Sequence, residues 1–389
     1  MISFENTQIA FQDKNKRELQ RAYLLFRMIG SPGLVKTGAS LLRAAMAVHL
    51  PVKWALKPTV FKHFCGGETI SECDDIIYRL GRSNIKTILD YSAEGKETEA
   101  DFDYTRDQIL ATIEKARNNP FIPHAVFKPT GVARFALLEK VQAGKSLSAA
   151  EQQEFERVKD RVDKICLAGV AAGIPVMIDA EESWIQGVVD EIVEEMILKY
   201  NTEKPLIYHT IQMYRHDRME YLERFTRKAR DMGRYPAFKL VRGAYMEKER
   251  ERAQKQGYPS PICPDKPATD RNFDDATAFC LDDVDHIGLC IGTHNEDSCA
   301  LGVEIMEKRK IAPGHLNVWY SQLLGMSDHI SYNLAVSGYN VSKYVPYGPV
   351  KTVVPYLIRR AEENTSVAGQ TSRELYLLKK EVARRKAES

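Results

Sequence analysis

Eight short β-rich runs, each followed by a helical pattern, recur along the chain from about residue 85 onward. The runs are apolar without alternation, as in parallel strands that are buried on both faces. They lie at residues 86–94, 125–130, 174–182, 206–214, 237–245, 287–295, 316–322 and 341–346. Eight strand–helix units predict a closed (β/α)8 barrel of the TIM type. The sequence contains no Gly-x-Gly-x-x-Gly motif, which argues against a Rossmann domain.

The chain has 389 residues, which is enough for such a barrel with additional helices. We predict an N-terminal helical arm over 1–84, the barrel over 85–375 and a charged helical tail over 376–389. Within the arm, residues 34–64 alternate basic and apolar side chains. This pattern suits either a helix lying on a membrane surface or an arm packed against the main domain, and we favour the packed arm.

Charge and cysteine content exclude several classes of protein. The formal net charge is only +2, so no overall field favours nucleic acid. The seven cysteines include no Cys-x-x-Cys pair, which favours reduced thiols. Neither a secretion signal nor an apolar run of roughly 20 residues is evident. These features predict a cytoplasmic protein.

Polar residues stand where nearly every predicted strand ends. Carboxyl ends of barrel strands meet at one face, where chemistry is usually placed. The side chains at these ends are Asp90, Glu94, Lys128, Asp179, Glu181, Gln212, Lys239, Arg242, Thr293, His294, Gln322 and Tyr344. Singly, each has a structural explanation, because Asp179 and Glu181 could cap the next helix and His294 could be a core histidine. Together they predict a binding site, since buried charges are costly unless paired or liganded.

Two adjacent arginines, Arg359 and Arg360, follow the last strand on a predicted helix. Arg359 and Glu363 are four residues apart and share a face, whereas Arg360 points roughly 100° away. A guanidinium pair suits a carboxylate, although an exposed helix face is the alternative. The cations at the strand ends exceed what one small acid requires, which suggests a phosphate-bearing cofactor as well. No metal site is expected, because no His-Glu-x-x-His or closely spaced histidine pair occurs.

From Asp90 to Asn364 the chain resembles the proline dehydrogenase family in its single-activity form. The stretches that carry the resemblance are Leu89-Asp-Tyr-Ser-Ala-Glu94, Phe127-Lys-Pro129, Ile178-Asp-Ala-Glu-Glu182, Lys239-Leu-Val-Arg-Gly-Ala-Tyr245, Thr293-His-Asn295, Gln322-Leu-Leu-Gly-Met326 and Tyr344 to Asn364. Each is short, but their order along eight strands is specific. No aldehyde dehydrogenase segment follows them in the sequence.

The resemblance implies FAD-dependent oxidation of L-proline to Δ1-pyrroline-5-carboxylate, with hydride passing to flavin N5. This is the first step of proline catabolism. It further implies that electrons pass to a quinone and that a separate chain supplies the downstream pyrroline-5-carboxylate dehydrogenase. A quinone acceptor would bring the protein to the inner face of the membrane as a peripheral protein.

The resemblance also assigns roles to individual residues. Asp179 and Lys239 are expected to be catalytic, with Lys239 near flavin N5, where many bacterial members carry arginine. The expected substrate-binding residues are Lys128, Tyr245, Tyr344, Arg359, Arg360 and one of Leu323 or Leu324, of which we favour Leu324. Glu94 is expected to pair with Arg359 as a gate. The expected FAD-binding residues are Ala180, Gln212, Arg242, Gly243, Ala244, Thr293, His294 and Glu363.

Three other functions stay open at this stage. A 4-hydroxyproline dehydrogenase would share the chemistry, but the bulk of Tyr344 favours proline. A flavin-free barrel could use the same arginines to bind a carboxylate. An interaction protein acting through its N-terminal arm would leave the charges at the strand ends unexplained. Residues 246–257 are predicted to form a charged surface helix, with a contribution to lid closure as a weaker hypothesis.

Overall fold

The computed structural model describes residues 2–47, 53–92, 96–366 and 370–388. Eight parallel strands form a closed barrel in chain order, which confirms the predicted (β/α)8 fold. The strands are β1 (Ile85–Tyr91), β2 (His124–Phe127), β3 (Val176–Ile178), β4 (Ile207–Gln212), β5 (Ala237–Val241), β6 (Gly288–Gly292), β7 (Val318–Leu323) and β8 (Val341–Tyr347).

Helices precede, separate and follow the strands. They are α1 (Thr7–Ala10), α2 (Lys16–Ile29), α3 (Pro32–Ala47), α4 (Lys53–Leu56), α5 (Lys62–Phe64), α6 (Asp74–Gly81), α7 (Glu99–Arg117), α8 (Phe135–Gln142), α9 (Ala149–Ala172), α10 (Ser183–Tyr200), α11 (Arg218–Asp231), α12 (Met246–Gln256), α13 (Lys266–Asp282), α14 (Glu296–Lys308), α15 (Asp328–Val336), α16 (Val350–Ser366) and α17 (Gln370–Ala387). A π-helical turn spans Lys57–Phe61, and short 3₁₀ turns span Ser71–Cys73 and Pro129–Gly131.

Two compact units make up the chain, one from residues 1–94 with 322–389 and the other from residues 95–321. In the first unit, β1 pairs with β8 in parallel, with Ile85 opposite Val341 and Tyr91 opposite Tyr347. The predicted boundaries at residues 84 and 375 stay predictions.

The helical arm packs on the C-terminal helices of the first unit. Phe61 and Phe64 share an apolar cluster with Val353 and Leu357 of α16. Phe26 of α2 lies in a second cluster that includes residues of α17. Burial of such aromatic and aliphatic side chains is the main favourable term in folding. Of the 34–64 segment, Ala39, Phe61 and Phe64 are buried in the first of these clusters, as the packed-arm interpretation expects.

In the second unit, local sequence signals match the helix ends. Helix α9 begins with a capping box, in which the Ser148 side chain accepts a bond from the Glu151 amide while the Glu151 side chain accepts one from the Ser148 amide. The charged segment after Tyr245 forms α12, as predicted, and ends at Gly257 in a left-handed conformation with φ of 73°. These helices place the residues that follow the strands.

Candidate active site

Asp179 lies at the centre of an ion cluster formed by the strand ends of the second unit. It directly follows β3, and its Oδ1 pairs with the Nζ of Lys239 in β5. Its Oδ2 lies 3.2 Å from the Nζ of Lys128, the residue after β2. Thr210 of β4 donates to Asp179 Oδ1 at 3.3 Å. One carboxylate thus brings together two ammonium groups from two further strands.

Strand register explains why these side chains meet. Lys239 is directly opposite Thr210 in the β4–β5 pairing, so both side chains point to the same side of the sheet. The Asp179 amide continues the ladder by donating to the Phe127 carbonyl at 2.9 Å. Asp179 and Lys239 are both buried, at 8% and 6% exposure. Buried charges of this kind persist only when they are paired, which the cluster achieves.

Glu181 forms a second buried carboxyl site, two residues after Asp179. Its two oxygens accept from the amide and hydroxyl of Thr130, both at 2.7 Å, and its carbonyl accepts from the amide side chain of Gln212 at 2.7 Å. Burial and then repulsion from Glu182 raise the pKa of Glu181 to about 7, against the opposing effects of Thr130 and Lys128. A carboxyl group that titrates near neutral pH is typical of functional sites.

The helix-cap explanation of Asp179 and Glu181 is wrong. Helix α10 begins at Ser183. The Ser183 amide and hydroxyl donate to the carboxylate of Glu249 in α12 at 2.7 and 2.6 Å. Glu249 is fully buried, and the neighbouring Lys248 pairs with Glu182 at 3.1 Å. The side chains of Asp179, Glu181 and Glu182 therefore bind other strands, turns and helices rather than the start of their own helix.

Arg242, one residue beyond β5, is held by hydrogen bonds from three of its nitrogens. They donate to Asp270 at 2.8 Å, to Thr293 at 2.7 Å and to Ser298 at 2.9 Å. The guanidinium also lies over the ring of Phe273, 4.6 Å from its centroid. Arg242 and Thr293, two of the expected FAD-binding residues, are thus brought together at neighbouring strand ends.

The main chain after β5 passes closely over an aromatic ring. Gly243 has φ of 138°, and a Cβ there would come within 2.6 Å of the ring of Tyr214, so only glycine fits. The amide of Ala244 approaches Gln212 Oε1 at 3.4 Å. Tyr245 is buried and immediately precedes α12. The main chain at Ala244 is thus linked to Gln212 at the end of β4.

In the first unit, the structure brings together two of the predicted substrate-binding residues. The Leu324 amide donates to the Tyr344 carbonyl at 2.9 Å, and both side chains are buried. Arg359 and Arg360 lie on α16 and are half-buried, with the Arg360 guanidinium 5.4 Å from the ring centroid of Tyr356. They are not the fully exposed pair that the helix-face alternative requires.

Two of the predicted site residues cannot be placed in the site. Glu94 lies outside the described residues, and the same holds for the side chain of Glu363, although its backbone belongs to α16. Ala180 is buried, and His294 is half-buried at the end of β6.

Sequence reasoning missed several partners of the predicted residues. Thr130 donates to Glu181, and Thr210 donates to Asp179. Three further partners lie on helices: Asp270, Ser298 and Glu249. The strand-end pattern carried no signal for the helical partners. Thr130 and Thr210 lie at or beside strand ends and could have been included.

The described residues include neither a metal-ligand cluster nor a membrane-spanning helix. No group of three His, Cys, Asp or Glu side chains there is arranged to hold a metal ion. Within the same ranges, no helix has both the length and the apolar character needed to cross a membrane.

Comparison with known proteins identifies relatives over most of the chain. The model of the family described as proline dehydrogenase matches residues 73–373. The "Proline dehydrogenase 1, mitochondrial" of Dictyostelium discoideum is 34% identical over 379 residues, which cover 86% of this chain and 66% of that protein. The "Hydroxyproline dehydrogenase" of Xenopus laevis is 30% identical over 412 residues, which cover 96% of this chain and 88% of that protein.

The fold also matches solved structures. A crystal structure of proline utilization A (PutA) from Bdellovibrio bacteriovorus superposes with a TM-score of 0.73 and 20% identity. The match covers 92% of this chain and 38% of the PutA chain. This chain therefore spans just under two thirds of the Dictyostelium protein and little more than a third of PutA.

Proposed function

The chain belongs to the proline dehydrogenase family, and we propose that it catalyses the oxidation of L-proline to Δ1-pyrroline-5-carboxylate with FAD as cofactor, the first step of proline catabolism. In this reaction the ring carbon beside nitrogen would lose a hydride to the flavin, the nitrogen lone pair would form the new C=N bond, and the proton carried by the nitrogen would pass to solvent. The observation that carries the proposal is the buried Asp179 cluster with Lys128 and Lys239.

The donor set at the strand ends fits a flavin dinucleotide. Four hydrogen-bond donors lie in β4 and β5 or directly after β5 and β6. They are the amide of Gln212 in β4, the ammonium of Lys239 in β5, the guanidinium of Arg242 after β5 and the hydroxyl of Thr293 after β6. Such donors match the anionic phosphates and the carbonyl-rich ring of FAD. When bound, FAD supplies the hydride acceptor.

Within this assignment, the residues of the chain bind and orient. Lys239 would hold positive charge beside the flavin ring as a point charge, without the bidentate fork of an arginine. Arg242 would bind phosphate, because Asp270, Thr293 and Ser298 already fix its orientation. The proposed FAD-binding set also includes Ala180, Gly243, Ala244, His294 and Glu363.

The proposed substrate contacts follow the chemistry of proline. Arg359 and Arg360 bind the carboxylate, because guanidinium donors form charge-assisted bonds with it. Lys128 adds a further cation, held by Asp179 at 3.2 Å. Leu324 and Tyr344 enclose the apolar ring, and we propose that Tyr245 covers it. Glu94 is proposed as the gate partner of Arg359.

A second candidate substrate is 4-hydroxyproline. The relative from Xenopus laevis named hydroxyproline dehydrogenase aligns with 96% of this chain, which favours it as the alternative. We prefer proline because the bulky side chain of Tyr344 would crowd an added hydroxyl. A kcat/KM that favours 4-hydroxyproline by about tenfold, which is about 1.4 kcal/mol in transition-state binding, would reverse the preference.

The electron acceptor and location are further parts of the proposal. We propose a quinone as acceptor, a separate chain as the downstream pyrroline-5-carboxylate dehydrogenase, and a cytoplasmic location with peripheral contact at the inner face of the membrane. Several relatives are named as mitochondrial proteins.

A spectrum of the purified protein, with steady-state proline oxidation using a soluble quinone as acceptor, tests the proposed function. A yellow protein that oxidises proline is the expected result. A colourless protein that cannot be reconstituted with FAD would instead support the flavin-free carboxylate-binding barrel.

A further inference from the structure

We propose that Lys14 of the N-terminal arm and Glu374 of α17 are positioning residues that hold the turn carrying Leu324, and that they thereby set how well the ring of the substrate fits. The turn comprises residues 323–328, between the end of β7 and the start of α15. This inference rests on the role that the proposed function assigns to Leu324.

The 323–328 turn contains two left-handed backbone positions. Gly325 has φ of 78° and Ser327 has φ of 50°. A side chain makes this conformation cost roughly 1–2 kcal/mol, and glycine avoids that cost whereas serine does not. At Gly325, a Cβ would also lie 2.5 Å from the carbonyl oxygen of His63. Backbone of this kind persists only where surrounding contacts hold it.

Lys14 provides the first of these contacts. Its Nζ lies 2.7 Å from Oδ2 of Asp328, the first residue of α15. The other oxygen of Asp328 lies 2.8 Å from the Nζ of Lys343 in β8, which also donates to the Met326 carbonyl. Burial opposes ionisation of Asp328, but the two lysines outweigh it and hold its pKa well below the ordinary value. Lys14 therefore completes a buried charge cluster at the end of the turn.

Glu374 and His63 provide contacts from other sides. The Ser327 amide, at the left-handed position, donates to Glu374 Oε1. The Nε2 of His63 lies 2.9 Å from the Gly325 carbonyl. Burial lowers the pKa of His63 to about 4, so at pH 7 the ring is neutral and its Nε2–H donates a hydrogen bond to that carbonyl. The arm and the C-terminal helix thus both bind the main chain of one turn.

The contacts to the Gly325 carbonyl, the Met326 carbonyl and the Ser327 amide act on Leu324 through the main chain that joins these residues. Leu324 precedes Gly325, and its amide donates to the Tyr344 carbonyl at 2.9 Å. Loss of Lys14 leaves Asp328 with Lys343 as its remaining described lysine partner, which loosens the start of α15. The expected consequence is a less ordered Leu324 beside Tyr344, which weakens substrate binding more than the chemical step.

Lys14→Met and Glu374→Met test the inference, with Lys380→Met as the matched control. Lys380 also joins α17 to the arm, 2.9 Å from Glu5, but it does not contact the turn. For Lys14→Met and Glu374→Met, each of which removes a polar contact to the turn, KM for proline should rise about tenfold while kcat changes less than about twofold. Lys14→Arg should restore much of the loss, and Lys380→Met should leave both constants unchanged.

Hydrogen exchange of the peptide spanning 323–328 supplies a readout that needs no substrate. It should be faster in Lys14→Met and Glu374→Met than in the wild type and in Lys380→Met. Unchanged exchange and unchanged KM in both test variants would overturn the inference, as would faster exchange without a change in KM. If Lys14→Met does not fold, Glu374→Met decides. If the wild type does not oxidise proline, the proposed function fails, while exchange still reports whether the two residues hold the turn.

Discussion

The carboxylate of Asp179, directly after β3, and the ammonium of Lys239, within β5, form a buried ion pair. Lys128, following β2, approaches the second carboxylate oxygen at 3.2 Å. Because removal of one member leaves an uncompensated buried charge, the pair couples the stability of the barrel to the proposed chemistry.

Asp179→Asn should lower both stability and catalysis. The variant leaves two ammonium groups beside a neutral amide, so the free energy of unfolding should fall by roughly 3–5 kcal/mol. The value of kcat should fall by at least about 100-fold, the scale seen when a preorganised charge is lost. Denaturant melts and steady-state kinetics measure the two effects.

Asp160→Asn is the matched control, because Asp160 makes an exposed pair with Lys164 at 2.7 Å. It should change stability by less than about 1 kcal/mol. In the double variant Asp179→Asn/Lys239→Met, the unfolding free energy should partly recover relative to Asp179→Asn. A kcat for Asp179→Asn within about threefold of the wild type would remove Asp179 from the catalytic set.

Arg359→Met should raise KM for proline by at least about 30-fold, because loss of a buried charge-assisted pair costs roughly 2–5 kcal/mol. Steady-state kinetics with proline measure the effect. Lys351→Met is the control, since Lys351 is an exposed cation on the same helix. If KM for Arg359→Met rises less than about threefold, the carboxylate of proline is bound elsewhere.

Tyr344→Ser should shift the preference between substrates. Removing the buried ring makes room beside the proposed substrate, so the kcat/KM ratio of 4-hydroxyproline to proline should rise about tenfold. Competition between the two substrates gives the ratio directly. An unchanged ratio would mean that Tyr344 does not determine the selectivity.

Glu181 should make stability depend on pH. Its pKa of about 7 lies above the ordinary value of 4.5, so the folded state holds a proton that the unfolded state releases in this range. Its contribution to the free energy of unfolding therefore falls as pH rises from about 4.5 to 7. Relative to the wild type, Glu181→Gln should gain stability across this window, on the order of 2 kcal/mol.

Denaturant melts between pH 4 and 8 measure this difference as a function of pH. Glu203→Gln, at an exposed position, is the control. A difference between Glu181→Gln and the wild type that stays flat with pH would show that the Glu181 carboxyl does not titrate in this range.

Strand periodicity was sufficient to predict the barrel and the meeting of Lys128, Asp179 and Lys239. Parallel strands in a closed barrel bring their carboxyl ends to one face, so residues that follow them become neighbours without further information. The salt bridge of Arg242 to Asp270 was not predictable in this way, because Asp270 lies on a helix whose rotation the strand pattern does not determine.

The contacts of the 323–328 turn were equally hidden. Lys14 and Asp328 are 314 positions apart, and nothing local to either residue indicates the pairing. Glu181 appeared among the polar strand ends, but its raised pKa depends first on burial, which only the packed structure provides, and then on the adjacent Glu182. The residue pattern thus predicts which groups share a barrel face, whereas tertiary packing determines their pKa values and their hydrogen-bond and ion-pair partners.

An anaerobic titration of the purified protein with L-proline, followed by flavin absorbance, tests the central claim most directly. The proposed function predicts that the visible flavin band bleaches saturably as proline is added, with 4-hydroxyproline less effective. A flavin-loaded protein whose visible band is unchanged by saturating proline would contradict the account.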